Sequence, residues 1–322
     1  CNPKILDNWY FGNPVNQRNG RIVPAGTQYF VPGSSTQAGV LSSPATVIGY
    51  LNSGGKYPQV KVGGETYITP IGTDIAGYAG TGYGLDRWKL FVSGGVAVAA
   101  GGLQLDSVTN FGQVLEGSRV PDGIKATASV LTDEGLAAVT FSLSGEAQQT
   151  FSAVVGGTAL YFTGNWSGSG RHLIMLGGTG LVKAVGLELG PQQTLAHQEN
   201  GVWVLNEIPD YGEQLRRCQR YYQRLKASSG YMRFGISQPY TDTAAGVLIP
   251  LQGEMRTAPT MSSSGNFALF AGSAFHGVNL SLDTTSPYNV TLKAAGTGLP
   301  GTSAQLLAQG DSGAYIEFSA DL

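Results

Sequence analysis

Three histidines, His172, His197 and His276, are the only imidazoles in 322 residues. They lie far apart, and none has the HxxxH or HExxH spacing that places two metal ligands on one helix face. A Ser-His-Asp triad assembles from distant positions, but the chain lacks a GxSxG elbow to present the serine. His172 follows Arg171 after a Gly-Ser turn and is read as a solvent-facing loop residue. Carboxylates are the other catalytic route, because glycoside hydrolysis uses two of them across the scissile bond. Asp106, Glu116, Asp122, Asp133, Glu134, Glu146 and Glu188 are candidates, yet their spacing selects no pair. Asp133 and Glu134 sit in LTDEGL, where acidic residues are ordinary members of a hairpin turn. The chain is therefore read as non-enzymatic.

Binding chemistry is better represented. Sugar rings expose C–H faces that stack on Trp and Tyr. Trp166 lies in GNWSGSG, a Gly/Ser-rich loop, where a Trp either packs back or meets a partner. Asn165, Arg171 and His172 flank it with hydrogen-bonding groups, and these four form the candidate ligand site. Trp203 alternates with valines in NGVWVLN, as a core or subunit-interface residue would. Trp9 and Trp88 are assigned to the core. Tyr78 and Tyr83, in GYAGTGYG, are assigned to a linker or loop. That stretch is no phosphate-binding loop, since no Lys-Ser/Thr follows it.

The elements that must position these residues are strands. Gly is abundant at 48 residues and charged residues make up only 12%. That composition fits many short strands joined by tight turns. A net charge of −2 argues against a general nucleic-acid binder. No apolar run approaches the roughly 20 residues of a membrane-spanning helix, so no membrane insertion is expected. Two cysteines are too few for a disulfide framework, and Cys218 is read as a buried thiol. A chain beginning at Cys1 is read as a processed product or part of a longer protein, with any preceding residues expected to carry its attachment.

Strands are predicted at 27–31, 46–51, 58–62 and 66–70, then at 86–92, 95–99, 102–108, 124–132, 136–143, 147–154, 158–165, 171–176, 181–189 and 202–206. Six further alternating runs fall between 231 and 320. One helix is predicted within LNEIPDYGEQLRRCQRYYQRLK at 205–226. Asp210 and Glu213 give a capping box, and Tyr211, Leu215, Cys218, Tyr222 and Leu225 form its apolar stripe. The stripe serves either to dock the helix on its own chain or to pack it around a threefold axis. The fold class is mostly β: a jelly-roll β-sandwich (83–208, joined by an N-terminal strand and turn at 1–24), a small β insertion (25–82), a linking helix (209–228) and a C-terminal β-domain (229–322).

Three segments, LDNWYFGNPVNQR at 6–18, GYGLDRW at 82–88, and VGLELGPQQTLAH with PDYGEQLRRCQRYY across 185–222, together resemble structural proteins of tailed bacteriophages and prophages. These are of the tail-fibre, baseplate or head-fibre kind, with a jelly roll similar to carbohydrate-binding modules. EMRTAPTMSSSG at 254–265 is similar to the start of the β-block that follows this module. Residues 25–82 depart from the pattern. The resemblance implies a homotrimeric, exterior virion component that contacts other virion proteins or a host-surface glycan. It implies no cofactor beyond a structural Ca²⁺ near the N-terminal strand, with Asp7 and Glu188 as ligands; a hydrogen-bonded structural role is the alternative for each. A depolymerase using paired carboxylates and a secreted bacterial sugar-binding module are the competing readings.

Overall fold

The computed structural model describes residues 4–52, 56–143, 149–165 and 171–322. The chain forms two compact units, Cys1–Gln214 and Leu215–Leu322. As predicted, the protein is mostly β, with a single α-helix among the described residues.

The first unit begins with β1 (Arg21–Val23), β2 (Gln28–Phe30), β3 (Gln37–Val40), β4 (Ala45–Asn52), β5 (Lys56–Val62), β6 (Glu65–Ile68) and β7 (Ile75–Ala79). A small core of Val23, Leu41 and Val60 holds these strands. Next come β8 (Gly82–Leu85), β9 (Trp88–Ala99), β10 (Gly102–Leu115), β11 (Lys125–Thr132), β12 (Leu136–Ser142), β13 (Gln149–Val155), β14 (Thr158–Gly164) and β15 (His172–Leu189). A hairpin of β16 (Ala196–Glu199) and β17 (Val202–Leu205) follows. The stretch 72–84, expected as a linker, instead supplies β7 and β8; β7 pairs with β9 and so joins the small sheet to the large one. Gly77 allows this close approach, since a Cβ there would strike the Val96 carbonyl oxygen.

Strand β15 is the spine of the large sheet. One edge pairs with β14 over its first half and with β11 over its second. The other edge pairs with β10 and then meets the N-terminal segment, through Lys4–Glu188 and Tyr10–Ala184 bridges. The sheet encloses one core containing Trp9, Phe11, Trp88, Phe111, Phe162 and Leu176. Trp88 stacks on Phe111 at 5.3 Å, and Phe141 stacks on both Phe151 and Phe162. The core assignment of Trp9 and Trp88 holds. Trp203 packs partly buried against the same core.

The helix α1 (Tyr211–Gln219) is shorter than predicted. Its start is as expected: the Asp210 side chain accepts from the Glu213 amide at 2.9 Å. Its end is not, because Tyr222 and Leu225 lie in β18 (Tyr222–Lys226), paired with a strand at the C-terminus. Long-range pairing overrides the helical spacing, and the pull is visible chemically. Arg224 stands opposite Glu317 and bridges it at 2.9 Å, and the Tyr222 hydroxyl donates to the same carboxylate at 2.5 Å.

The second unit continues with β19 (Arg233–Pro239), β20 (Ala244–Pro250), β21 (Thr260–Ser264), β22 (Phe267–Ala271), β23 (Ala274–Thr285), β24 (Asn289–Ala295), β25 (Ala304–Ala308) and β26 (Tyr315–Ser319). A closed barrel runs β19-β20-β24-β23-β22-β25, and β18-β26-β21 form a separate three-stranded sheet. Closure leaves the barrel no free sheet edge. Val247, Leu269, Leu292 and Leu306 are among the side chains that fill its core.

Candidate binding face

Residues from the segments 6–18, 82–88 and 185–222 meet in one buried polar node. Asn8 adopts a left-handed conformation (φ 52°), as does Arg87 (φ 71°). Asn8 is held from several directions. Its side chain donates to the Val15 and Asp86 carbonyls and accepts from the Val15 amide, and its amide donates to Gln214 Oε1 at 2.8 Å. Its carbonyl accepts from the Trp88 indole at 2.8 Å. Gln113 clasps the Asp7 backbone at both its amide and its carbonyl. The Asp7 carboxylate meets Arg119 at 2.8 Å and Arg87 at 3.3 Å, and Arg87 also donates to the Val114 carbonyl. Such interlocking bonds over-determine two backbone conformations that would otherwise be strained.

That node does not fit a calcium site. A cation at Asp7 would face two guanidinium groups, and the Glu188 oxygens are bonded to the amide and hydroxyl of Thr194. Among the described residues no cluster of three His, Cys, Asp or Glu is placed to hold a metal ion. The alternative role, a hydrogen-bonded structural carboxylate, describes both residues.

The predicted ligand loop divides. Trp166 lies outside the described residues. Arg171 is exposed. His172 is not the solvent-facing residue expected: it opens β15, is 4% exposed, and its ring stacks on Phe162. Side chains alternate across a strand, so His172 shares the core-facing side with Ile174 and Leu176. Burial lowers its pKa, although Asp122 opposes the shift. Its Nδ1 accepts from the Asn165 amide at 3.3 Å, and Asn165 is itself buried with φ 44°. Of the predicted helix stripe, Tyr211 is exposed, Leu215 and Leu225 are half-buried, and Cys218 and Tyr222 are buried. The last two are thus already covered in the single chain.

The opposite side of the same strands forms an open cavity of about 440 Å³ over β13, β14, β15 and β10. Here the alternation Leu160, Phe162 inward leaves Ala159, Tyr161 and Thr163 outward. Tyr161 stands between Ser152 on β13 and Met175 on β15, and Met175 stands beside Gly112 on β10. The glycines let the long side chains lie down. A Cβ on Gly112 would come within 2.7 Å of Met175 Cγ, and one on Gly177 within 3.6 Å of the Tyr161 ring. The result is a floor of an aromatic ring and a thioether. Thr109, Asn110 and Thr150 edge it with polar groups, Thr163 lies buried at its margin, and Val154, 67% exposed, adds an apolar shoulder. Among the described residues, no partner within the chain holds the Tyr161 hydroxyl or the Asn110 and Thr150 side chains.

At the far end, the β13–β14 turn passes through Gly156 (φ 54°), and the Glu134 carboxylate lies against it. At their other ends β14 and β15 stop at Gly164 and start at His172; residues 166–170 of the predicted ligand loop lie outside the described residues. Sequence reasoning found the strands of this face but not the face. The available signal was Tyr161 at the polar parity of TALYFTG, opposite the glycines of HLIMLGGTG. Chemically the arrangement can bind a flat, hydroxylated ligand. Among its described lining residues the Tyr161 phenol is the only titratable group, so it offers no acid–base pair. No protein-family model, curated protein or solved structure matches the chain.

Proposed function

We propose that this chain is a non-enzymatic structural protein on the exterior of a bacteriophage particle, a fibre or decoration component that adheres to host-surface glycan. The observation that carries the reading is the Tyr161–Met175 floor, edged by the Asn110 and Thr150 side chains, for which no partner lies among the described residues. A sugar ring has the matching two-sided character: a C–H face for the floor and hydroxyls for the edge. Each such site is shallow, so useful affinity comes from several copies on one particle acting together.

Assembly as a homotrimer belongs to the same proposal. It is supported by Ile236 and Leu248, 68% and 57% exposed, one register step from the Ser237–Val247 pair on the outside of the barrel. Exposed neighbouring apolar residues favour a covered state. Light scattering on the purified chain tests assembly: three chain masses are expected, and a clean monomer contradicts it. Binding of the purified protein to host cells, competed by their surface polysaccharide, tests adhesion. Absence of binding at every concentration where the protein stays soluble would overturn it.

A further inference from the structure

We infer that the Tyr161–Met175 face takes an uncharged glycan and discriminates against acidic ones. This rests on the adhesive reading above and specifies its ligand class. Host-surface glycans divide chemically into neutral chains and chains carrying carboxylates, sulfates or phosphodiesters. A site for the second group needs a cation or a cluster of amide donors, because a desolvated anion without a counter-charge is costly.

The described lining of this cavity contains no Lys, Arg, Asp or Glu. Its polar groups are hydroxyls and one carboxamide, which can donate and accept alike, as sugar hydroxyls do. The Glu134 carboxylate sits against Gly156 at one end, and its field opposes an anionic ligand. Elsewhere the chain does place cations beside aromatic rings: Arg18 and Lys89 lie over Tyr83, and Arg224 over Tyr315. Tyr161 has no such companion among the described residues. The ring is left bare, which suits a C–H face rather than a carboxylate.

The geometry also assigns roles. Tyr161 supplies the stacking plane and Met175 extends it toward β10. Thr150 and Asn110 flank the plane from β13 and β10 and read hydroxyl positions. A substitution at Val154, exposed on the shoulder, brings a charge to the site without touching the core.

The test is binding of the full chain to an array of neutral oligosaccharides and of acidic ones bearing uronate, sialate or phosphodiester groups, followed by titration calorimetry. Neutral chains are expected to bind, with less than a twofold change between low and high salt, since screening acts on charged pairs. Tyr161→Ala is expected to weaken that binding at least tenfold and Tyr161→Phe by less than threefold. Val154→Lys, which places a cation beside the face, is expected to admit acidic oligosaccharides that the wild type does not bind, with binding that weakens at high salt. A circular-dichroism melt of each variant separates misfolding from loss of contact. Salt-sensitive binding of the wild type confined to acidic glycans overturns the inference while leaving adhesion standing. Neutral binding indifferent to Tyr161→Ala places the ligand elsewhere and overturns it too. No glycan bound in either class overturns the adhesive reading itself.

Discussion

Polar side chains on the first unit's strands are used in two opposite ways. Around Asp7, Asn8 and Arg87 they are buried and bonded to one another, so that Gln113, Trp88 and Gln214 lock a turn into left-handed conformations. Across β13, β14, β15 and β10 they stand at the surface around Tyr161, with glycines beneath instead of packing partners. The first region joins the turn within 6–18 to the segment 82–88, with Gln113 and Gln214 brought in from far along the chain. The cavity lining of the second draws on neither segment. Residues that stand out in a sequence can thus report how a fold is held rather than what it touches.

The largest effect separating the two regions is expected at Asp7. Asp7→Ala leaves Arg87, 1% exposed, as a buried cation without its carboxylate. Breaking a buried pair this way costs about 3–5 kcal/mol. Urea denaturation should show that loss in the midpoint with little change in slope, and a midpoint near wild type would break the assignment.

A smaller effect is expected in the second unit, at Glu317. Burial alone would raise its pKa, but hydrogen bonds from Ser262 and Tyr222 and the pair with Arg224 outweigh burial and hold it below the usual carboxylate range. A carboxyl depressed in the folded state contributes stability above its unfolded pKa, about 4.3, and loses it as pH falls through the lower folded value. Glu317→Gln should therefore cost about 1–2 kcal/mol at pH 7 and flatten the stability curve below about pH 4.5. An unchanged acid limb in a pH series of melts would contradict this.

His172 gives a third, weaker signature. Its folded pKa is lowered, so the unfolded chain binds the proton more readily, and stability should fall as pH drops below about 6.5. His172→Phe should remove that slope while keeping the stack on Phe162. The smallest effect is expected on the binding face. Tyr161→Ala removes a half-buried ring from the outside of the sheet and should cost about 1 kcal/mol or less, a shift of a few degrees in Tm.

Much of the strand map is legible in the sequence, because period-two alternation survives wherever one side of a strand faces a core. LAAVTFS and TALYFTG read directly as β12 and β14. The missed strands are instructive. TMSSS and AQLLA, which became β21 and β25, lack β-branched alternation and are held by pairing with β26, β19 and β22 from far along the chain. Closure of the barrel is a long-range event of the same kind. Tyr222 and Leu225 keep helical spacing in the sequence, but Glu317 and its strand draw them into a sheet, so the helix ends at Gln219.

The candidate site was less legible for a related reason. Trp166 stands out by the composition around it and His172 by its neighbours, but strand parity turns His172 inward. Tyr161 is one of 15 tyrosines. Its position gains meaning only when β15 and β10 bring Gly177, Met175 and Gly112 beside it. Likewise Gln113 and Gln214 join the Asp7–Asn8 turn from 106 and 206 residues away.

The most direct test of the central claim measures two quantities on one protein: Tm and binding to neutral host-surface oligosaccharide for Tyr161→Ala, beside wild type. A Tm within a few degrees of wild type and binding reduced at least tenfold are expected. Unchanged binding would contradict the claim, whatever the melt shows.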